Sequence, residues 1–151
     1  MHTDTLANQC QQEHQALQNL KDALRVTLDW KAPEMGRSRK LSSIAFIVRA
    51  LQRHLEHQLA LEERDGYMVD VSEAKPGLVQ RTARLRAEHD AFRQTLRELL
   101  PDVERLSPAD EAHFNALCDE IDRLLRRIDQ HDEDEADLLQ EALLTDEGGE
   151  G

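Results

Sequence analysis

Histidines and carboxylates stand at positions of this sequence where helical spacing otherwise places apolar residues. Over residues 78–99, apolar side chains recur every three or four positions, as on a buried helix face, and His89 falls within that series. Over residues 114–142 the same spacing includes His131 and Glu135. Burying an ionised carboxylate is costly unless it is paired or bound to a metal. Imidazole and carboxylate together are ligands for iron, manganese or zinc, so these positions predict a metal site.

The segment 41–64 carries an amide and a carboxylate in the corresponding place. At about 100° per residue, Gln58 and Glu62 fall near the centre of its apolar stripe. His54 falls about 60° to one side of that stripe, and His57 points outward. Residues spaced i and i+4 share a helix face, so the side chains of Gln58 and Glu62 could reach a common ion.

In the first segment, two residues are candidates for the metal ligand. His14 and Glu13 lie on opposite flanks of its apolar stripe, so spacing alone does not choose between them. Each of the four segments therefore directs an imidazole, an amide or a carboxylate towards a common axis. His14, Gln58, Glu62, His89, His131 and Glu135 could converge on one region and are the candidate metal ligands, with Glu13 still open as the donor of the first segment. A hydrogen-bonded core histidine and a solvated acidic face are the structural alternatives for these residues.

The elements that must position these residues are four helices, because Leu, Ala, Glu, Arg and Gln dominate the composition. Pro101 is expected to end the third helix, and Ser107 to cap the fourth, with Pro108 in its first turn. We predict an all-α fold, an up-down-up-down antiparallel four-helix bundle in one domain over residues 1–144. The acidic, Gly-rich tail 145–151 is predicted to be disordered. The predicted helices are 5–29, 41–64, 77–100 and 107–144, with loops between them.

Composition excludes several classes of function. The net charge of −12 argues against nucleic acid or an anionic membrane surface as the main partner. The low aromatic content, 3%, argues against an all-β fold. We find neither a transmembrane run nor a signal peptide. The two cysteines, Cys10 and Cys118, lack metal-type spacing and suggest buried thiols in a reducing cytoplasm.

Four motifs, in order, resemble those of the hemerythrin-like family, whose pattern is His, His-x3-Glu, His, His-x3-Glu over four helices. The resemblance covers about residues 10–143, and the glycine-tyrosine turn at 66–67 adds to it. The family usually has histidine where this chain has Gln58, and its oxygen-carrier branch has a second histidine where this chain has Arg93. The matching segments are Gln12–Leu17, His54–Met68, Ala87–Phe92 and His131–Gln140.

The resemblance implies a non-haem di-iron centre. Glu62 and Glu135 would bridge the two irons, and His14, His89 and His131 would be terminal ligands. One iron then lacks a nitrogen ligand, because Gln58 stands where the family has histidine. An amide would hold Fe²⁺ less tightly than an imidazole. An asymmetric di-iron site, a mononuclear site, a zinc site and an empty site all remain open at this point.

The sequence therefore predicts a cytoplasmic, hemerythrin-like metal-binding protein. Its ligand would be O₂ or another small diatomic molecule, or the protein would sense or store iron. No nucleophile with an orienting base is visible, so catalysis on an organic substrate is not indicated. The alternative is a bundle that has lost its metal and serves as a protein-interaction or regulatory module. A hydrogen bond from Gln58 to a buried carboxylate would favour that alternative.

Overall fold

The predicted all-helical fold is confirmed. The computed structural model describes residues 2–30, 34–64 and 67–148, and contains no strand within them. Four long helices and one short helix follow one another, with a 3₁₀ turn at Pro76–Leu78. None of the described helices combines the length and apolar composition needed to cross a bilayer. The helices are α1 (His2–Asp29), α2 (Glu34–Arg64), α3 (Tyr67–Ala74), α4 (Val79–Arg105) and α5 (Glu111–Gly148).

Helix boundaries differ from the prediction in the first half of the chain. α2 begins at Glu34, directly after Pro33, so part of the predicted loop before residue 41 is helical. α3 occupies the predicted loop after α2, because Met68 and Val71 are buried one turn apart. Residues 31–33 and 65–66 lie outside the described part of the chain.

In the second half of the chain, the structure differs from the prediction at the end of α4, at the N-terminal cap of α5 and in the C-terminal tail. α4 continues through Pro101 to Arg105, although proline removes a backbone donor and costs about 3 kcal/mol in a helix interior. Beyond it, Val103 and Leu106 are buried, and each can contribute about 1.5–3 kcal/mol. The cap of α5 is Asp110 rather than Ser107, since its carboxylate accepts the N–H of residue 113 at 3.1 Å. The predicted tail 145–151 begins inside α5, and residues 149–151 lie outside the described residues.

The four long helices pack in a ring, in which α1 contacts α2, α2 contacts α4, α4 contacts α5, and α5 contacts α1. Their inner faces have the three-and-four spacing expected of helices packed side by side. On α4 the buried series is Thr82, Leu85, His89, Phe92, Leu96, Leu99 and Val103. Cys118 is a free, half-buried cysteine that packs against the core, and the side chain of Cys10 lies outside the described residues.

The buried apolar residues form two clusters. The larger one fills the bundle and includes Leu55 and Ile128. The smaller one joins α3 to the N-terminal part of α4 and the C-terminal part of α5, and includes Met68, Leu85 and Leu138. The buried side chains of Glu62, His89 and His131 fall between these two clusters, which is where the bundle can hold a shielded site.

Candidate metal centre

Four ionisable side chains from three helices meet between the two apolar clusters. Glu62 comes from α2, His89 from α4, and His131 and Glu135 from α5. One donor atom from each of them lies within 4.8 Å of all the others. His89 is completely buried, while Glu62, His131 and Glu135 are buried or nearly so. The helical spacing noted in the sequence thus brings four of the six predicted ligands together.

The donor atoms are at separations suited to ligands around an ion. The two imidazole Nε2 atoms, from His89 and His131, are 3.1 Å apart. Nε2 of His89 lies 3.2 Å from Oε2 of Glu62, and Nε2 of His131 lies 3.3 Å from Oε2 of Glu135. All four atoms therefore lie close enough together to be ligands of one ion.

Each imidazole is held from behind by a carboxylate. Nδ1 of His89 lies 3.2 Å from Glu63, and Nδ1 of His131 lies 3.0 Å from Glu88. An ionised carboxylate only accepts, so each Nδ1 donates a proton to its carboxylate and Nε2 of each ring is left facing the centre, where its lone pair can bind a metal once any proton on it is displaced. This is the arrangement by which proteins fix the tautomer and orientation of metal-binding histidines.

Arg93 of α4 binds one of the two carboxylates that hold the imidazoles. Its guanidinium donates to Glu63 at 2.7 Å and to Glu56 at 2.8 Å. The position that carries a second histidine in the oxygen-carrier branch thus carries a side chain paired with carboxylates around the centre. Arg93 holds the carboxylate that in turn holds His89.

Two ionisable side chains of α5, Glu135 and His131, have pKa values that are shifted by burial and by the charged groups around them. Burial, helped by the nearby charge of Glu62, raises the pKa of Glu135 to about 7 despite its hydrogen bond with His131. Burial opposes the charge of His131, but hydrogen bonds to Glu135 and Glu88 outweigh it and raise its pKa to about 9. Burial likewise opposes the charge of Glu62, while contacts with His89, Glu135 and Gln58 lower its pKa.

Two buried oxygen atoms at the centre lack a hydrogen-bond partner. They are Oε2 of Glu62 and Oε1 of Gln58. Two Nε2 lone pairs facing each other at 3.1 Å also repel unless a proton or a cation lies between them. A hard cation would satisfy the orphaned oxygens and the lone pairs at once, so the residues fit a metal ion.

Gln58 is buried beside Glu62, and its NH₂ group rather than its oxygen faces that carboxylate. Its Nε2 donates to Oε1 of Glu62 at 2.8 Å. An NH₂ group carries no lone pair for a metal, so the amide here is a hydrogen-bond donor to a candidate ligand. This is the hydrogen bond that the sequence interpretation associated with loss of the metal.

His14 stands apart from the four converging residues. Its side chain is exposed and lines a cavity of about 20 Å³ beside the centre. That space is enough for one or two water molecules. The other polar residues around the cavity include Lys21, Gln58, Glu62, His131 and Glu135. The ligand roles of His14 and Gln58 stay predictions.

Sequence reasoning missed Lys21. It is buried between Leu17 and Leu24 on the inner face of α1, and its ammonium donates to Asp129 at 3.0 Å and to Asp132 at 3.1 Å. The burial of Lys21 could have been predicted, because positions 17, 21 and 24 follow the four-and-three spacing of a buried helix face.

Sequence reasoning also missed the partners of Glu13. This carboxylate accepts from His54 at 2.9 Å and from His57 at 2.8 Å, which links α1 to α2. The ambiguity between His14 and Glu13 is thereby explained, since His14 faces the cavity and Glu13 faces α2.

Comparison with known proteins identifies one family. The family model of the hemerythrin HHE cation-binding domain matches residues 5–143, nearly the whole chain. Neither a curated protein nor a solved structure matches the chain significantly. All four residues of the centre lie within the matched range.

Proposed function

Because the chain belongs to the hemerythrin HHE cation-binding domain family, we propose that it is a non-haem iron protein whose iron is held by Glu62, His89, His131 and Glu135. Family membership implies non-haem metal binding, and the buried cluster of histidines and glutamates fits a metal site. The observation that carries the proposal is the convergence of four donor atoms, with both imidazoles backed by carboxylates.

Iron is proposed because two imidazoles and two carboxylates, with one side open to a cavity, suit non-haem Fe(II) sites. The bound iron would supply an open coordination position and redox chemistry for O₂ or another diatomic ligand. The residues of this chain would orient the ion, and the two apolar clusters around it would exclude bulk water. The cavity of about 20 Å³ admits a ligand of one or two heavy atoms.

The arrangement and setting of the bundle are part of the proposal. The first antiparallel pair of an up-down-up-down topology is supported by the hydrogen bonds that Glu13 of α1 accepts from His54 and His57 of α2, and by the one that Lys40 of α2 donates to the carbonyl of Leu28 of α1. A cytoplasmic location follows from the sequence interpretation of the two cysteines. The acidic surface, with a net charge of −12, supports a small-molecule ligand rather than nucleic acid or membrane.

The test is the metal content of the full chain, purified without a histidine tag and then reconstituted anaerobically with Fe²⁺. We expect stoichiometric iron, a visible spectrum after exposure to air, and a changed spectrum when nitric oxide is added to the reduced protein. Glu135→Gln should lose the metal, whereas Glu133→Gln, at an exposed position of α5, should retain it. Protein that takes up no metal would refute the proposal, and uptake of zinc but not of iron would refute its choice of ion.

The alternative function, a bundle without metal that mediates protein interaction, is favoured by one observation. Gln58 donates to Glu62 and so satisfies part of the buried carboxylate without an ion. The same measurement decides between the two functions, because the interaction module would bind no iron under any of these conditions.

A further inference from the structure

We infer that the centre binds one metal ion, and that the second position implied by the family resemblance is disabled by Gln58 and Lys21. This inference rests on the proposed function, because it concerns how many ions the same site holds. It departs from the expected di-iron centre, and three features of the structure carry it.

The first feature is the spacing of the four converging donors. Ligands about 2.1 Å from one ion lie about 3 Å apart at right angles and about 3.4 Å apart in a tetrahedron. The observed separations are 3.1 Å between the two Nε2 atoms, 3.2 Å from His89 to Glu62, and 3.3 Å from His131 to Glu135. All three values fit neighbouring ligands on a single ion, so His89 and His131 would share one metal.

The second feature is the lack of nitrogen ligands for another ion. Metal ions in dinuclear sites lie about 3.5–4 Å apart, so a second ion would occupy the adjoining cavity. There Gln58 presents its NH₂ group to Oε1 of Glu62. Its buried oxygen has no hydrogen-bond partner, but an amide oxygen would hold Fe²⁺ less tightly than the imidazole that the family has at this position.

No other imidazole of α2 takes the place of Gln58. His54 and His57 both direct Nδ1 to Glu13, at 2.9 and 2.8 Å, on the side of α2 that faces α1. His14 lines the cavity but is exposed to solvent. Among the described residues, a second ion would therefore have at most one imidazole, and that side chain is exposed to solvent.

The third feature is a fixed positive charge in the wall of the same cavity. The ammonium of Lys21 is buried, with only 3% of the side chain exposed, and is held by Asp129 and Asp132. The charges of Asp129 and Asp132 are offset by their ion pairs with Lys21 and Arg25. Among the carboxylates that line the cavity, Glu62 and Glu135 are therefore left to balance metal charge, and they balance one divalent ion. A second divalent ion would leave this region with excess positive charge next to a buried ammonium.

The experiment measures bound iron per chain in the full-length protein after anaerobic reconstitution with excess Fe²⁺ and desalting. The variants are Gln58→His, Lys21→Met and the two combined, with circular dichroism to verify the fold. Gln94→His is the matched control, since it places an imidazole four residues before Glu98 on an exposed face of α4.

We expect one iron in the natural protein, in Lys21→Met and in the control. Gln58→His should gain a weakly held second iron, and the combined variant should hold it at least about tenfold more tightly. Where Lys21→Met fails to fold, Gln58→His alone carries the test. Two irons in the natural protein, or no second iron in any Gln58→His variant, would overturn the inference. No iron in the natural protein would instead overturn the proposed function.

Discussion

Glu135 is expected to destabilise the metal-free bundle above neutral pH, although it is a candidate ligand. Its pKa is raised from 4.5 to about 7 by burial and the charge of Glu62. Since the folded state holds this proton more tightly than the unfolded state, the free energy of unfolding falls as pH rises from about 4.5 to 7. The difference between the two pKa values corresponds to about 3 kcal/mol, with the full effect above pH 7.

Glu135→Gln keeps the size of the side chain and removes the charge. The substitution also removes the attraction between the carboxylate and His131, which offsets part of the gain. We expect the metal-free variant to be about 2 kcal/mol more stable than the natural protein at pH 8, with a much smaller difference at pH 5.

The assay is urea unfolding in the presence of a chelator, followed by far-ultraviolet circular dichroism at pH 5, 6, 7 and 8. Glu133→Gln serves as the control, because it removes an exposed carboxylate from the same helix. A variant that is less stable than the natural protein at pH 8, or a gain that does not change with pH, would refute the reasoning. With iron added, the order of stability should reverse, because only the natural protein gains binding energy.

Three further predictions follow from the same structure. Metal binding must displace protons from His131 and Glu135, so chelator competition should show affinity rising about tenfold per pH unit between pH 7 and 9, and more steeply below pH 7. Glu63→Gln should weaken metal affinity about 10–100-fold in the same competition, because Glu63 orients an imidazole, whereas Glu56→Gln should have little effect. Leu124→Ala, at a fully buried core position, should lower the free energy of unfolding by about 2–5 kcal/mol in urea titration.

The parts of the fold that follow from periodicity could be predicted from the sequence. The inner face of α4 is the series read from the apolar spacing, with His89 in its place. The parts that depend on a balance of energies could not. Whether a helix stops at Pro101 depends on how much apolar area lies beyond it, and the burial of Val103 and Leu106 is a tertiary property.

For the candidate site too, the residues on the helix stripes could be predicted, whereas the contacts between helices could not. Residues on the central stripe, such as Glu62 and His131, converge as helical geometry requires. The side chains that support them lie beside the stripe and act across helices, as Glu88 does for His131 and Glu63 for His89. Nothing in the spacing of one helix indicates which neighbouring helix will face such a residue.

In the one-ion centre that we propose, the imidazoles of the complete half come from α4 and α5, whereas the imidazole of the other half would come from α1. His89 and His131 belong to α4 and α5, and their supporting carboxylates come from α2 and α4. The weakened half depends on α1 and on Gln58. Since none of the hydrogen bonds that orient the two buried imidazoles involves α1, losing a ligand there leaves the remaining donors aimed at one point. Glu62, His131 and Glu135 of this half line the cavity of about 20 Å³, which is the open side of the proposed iron site.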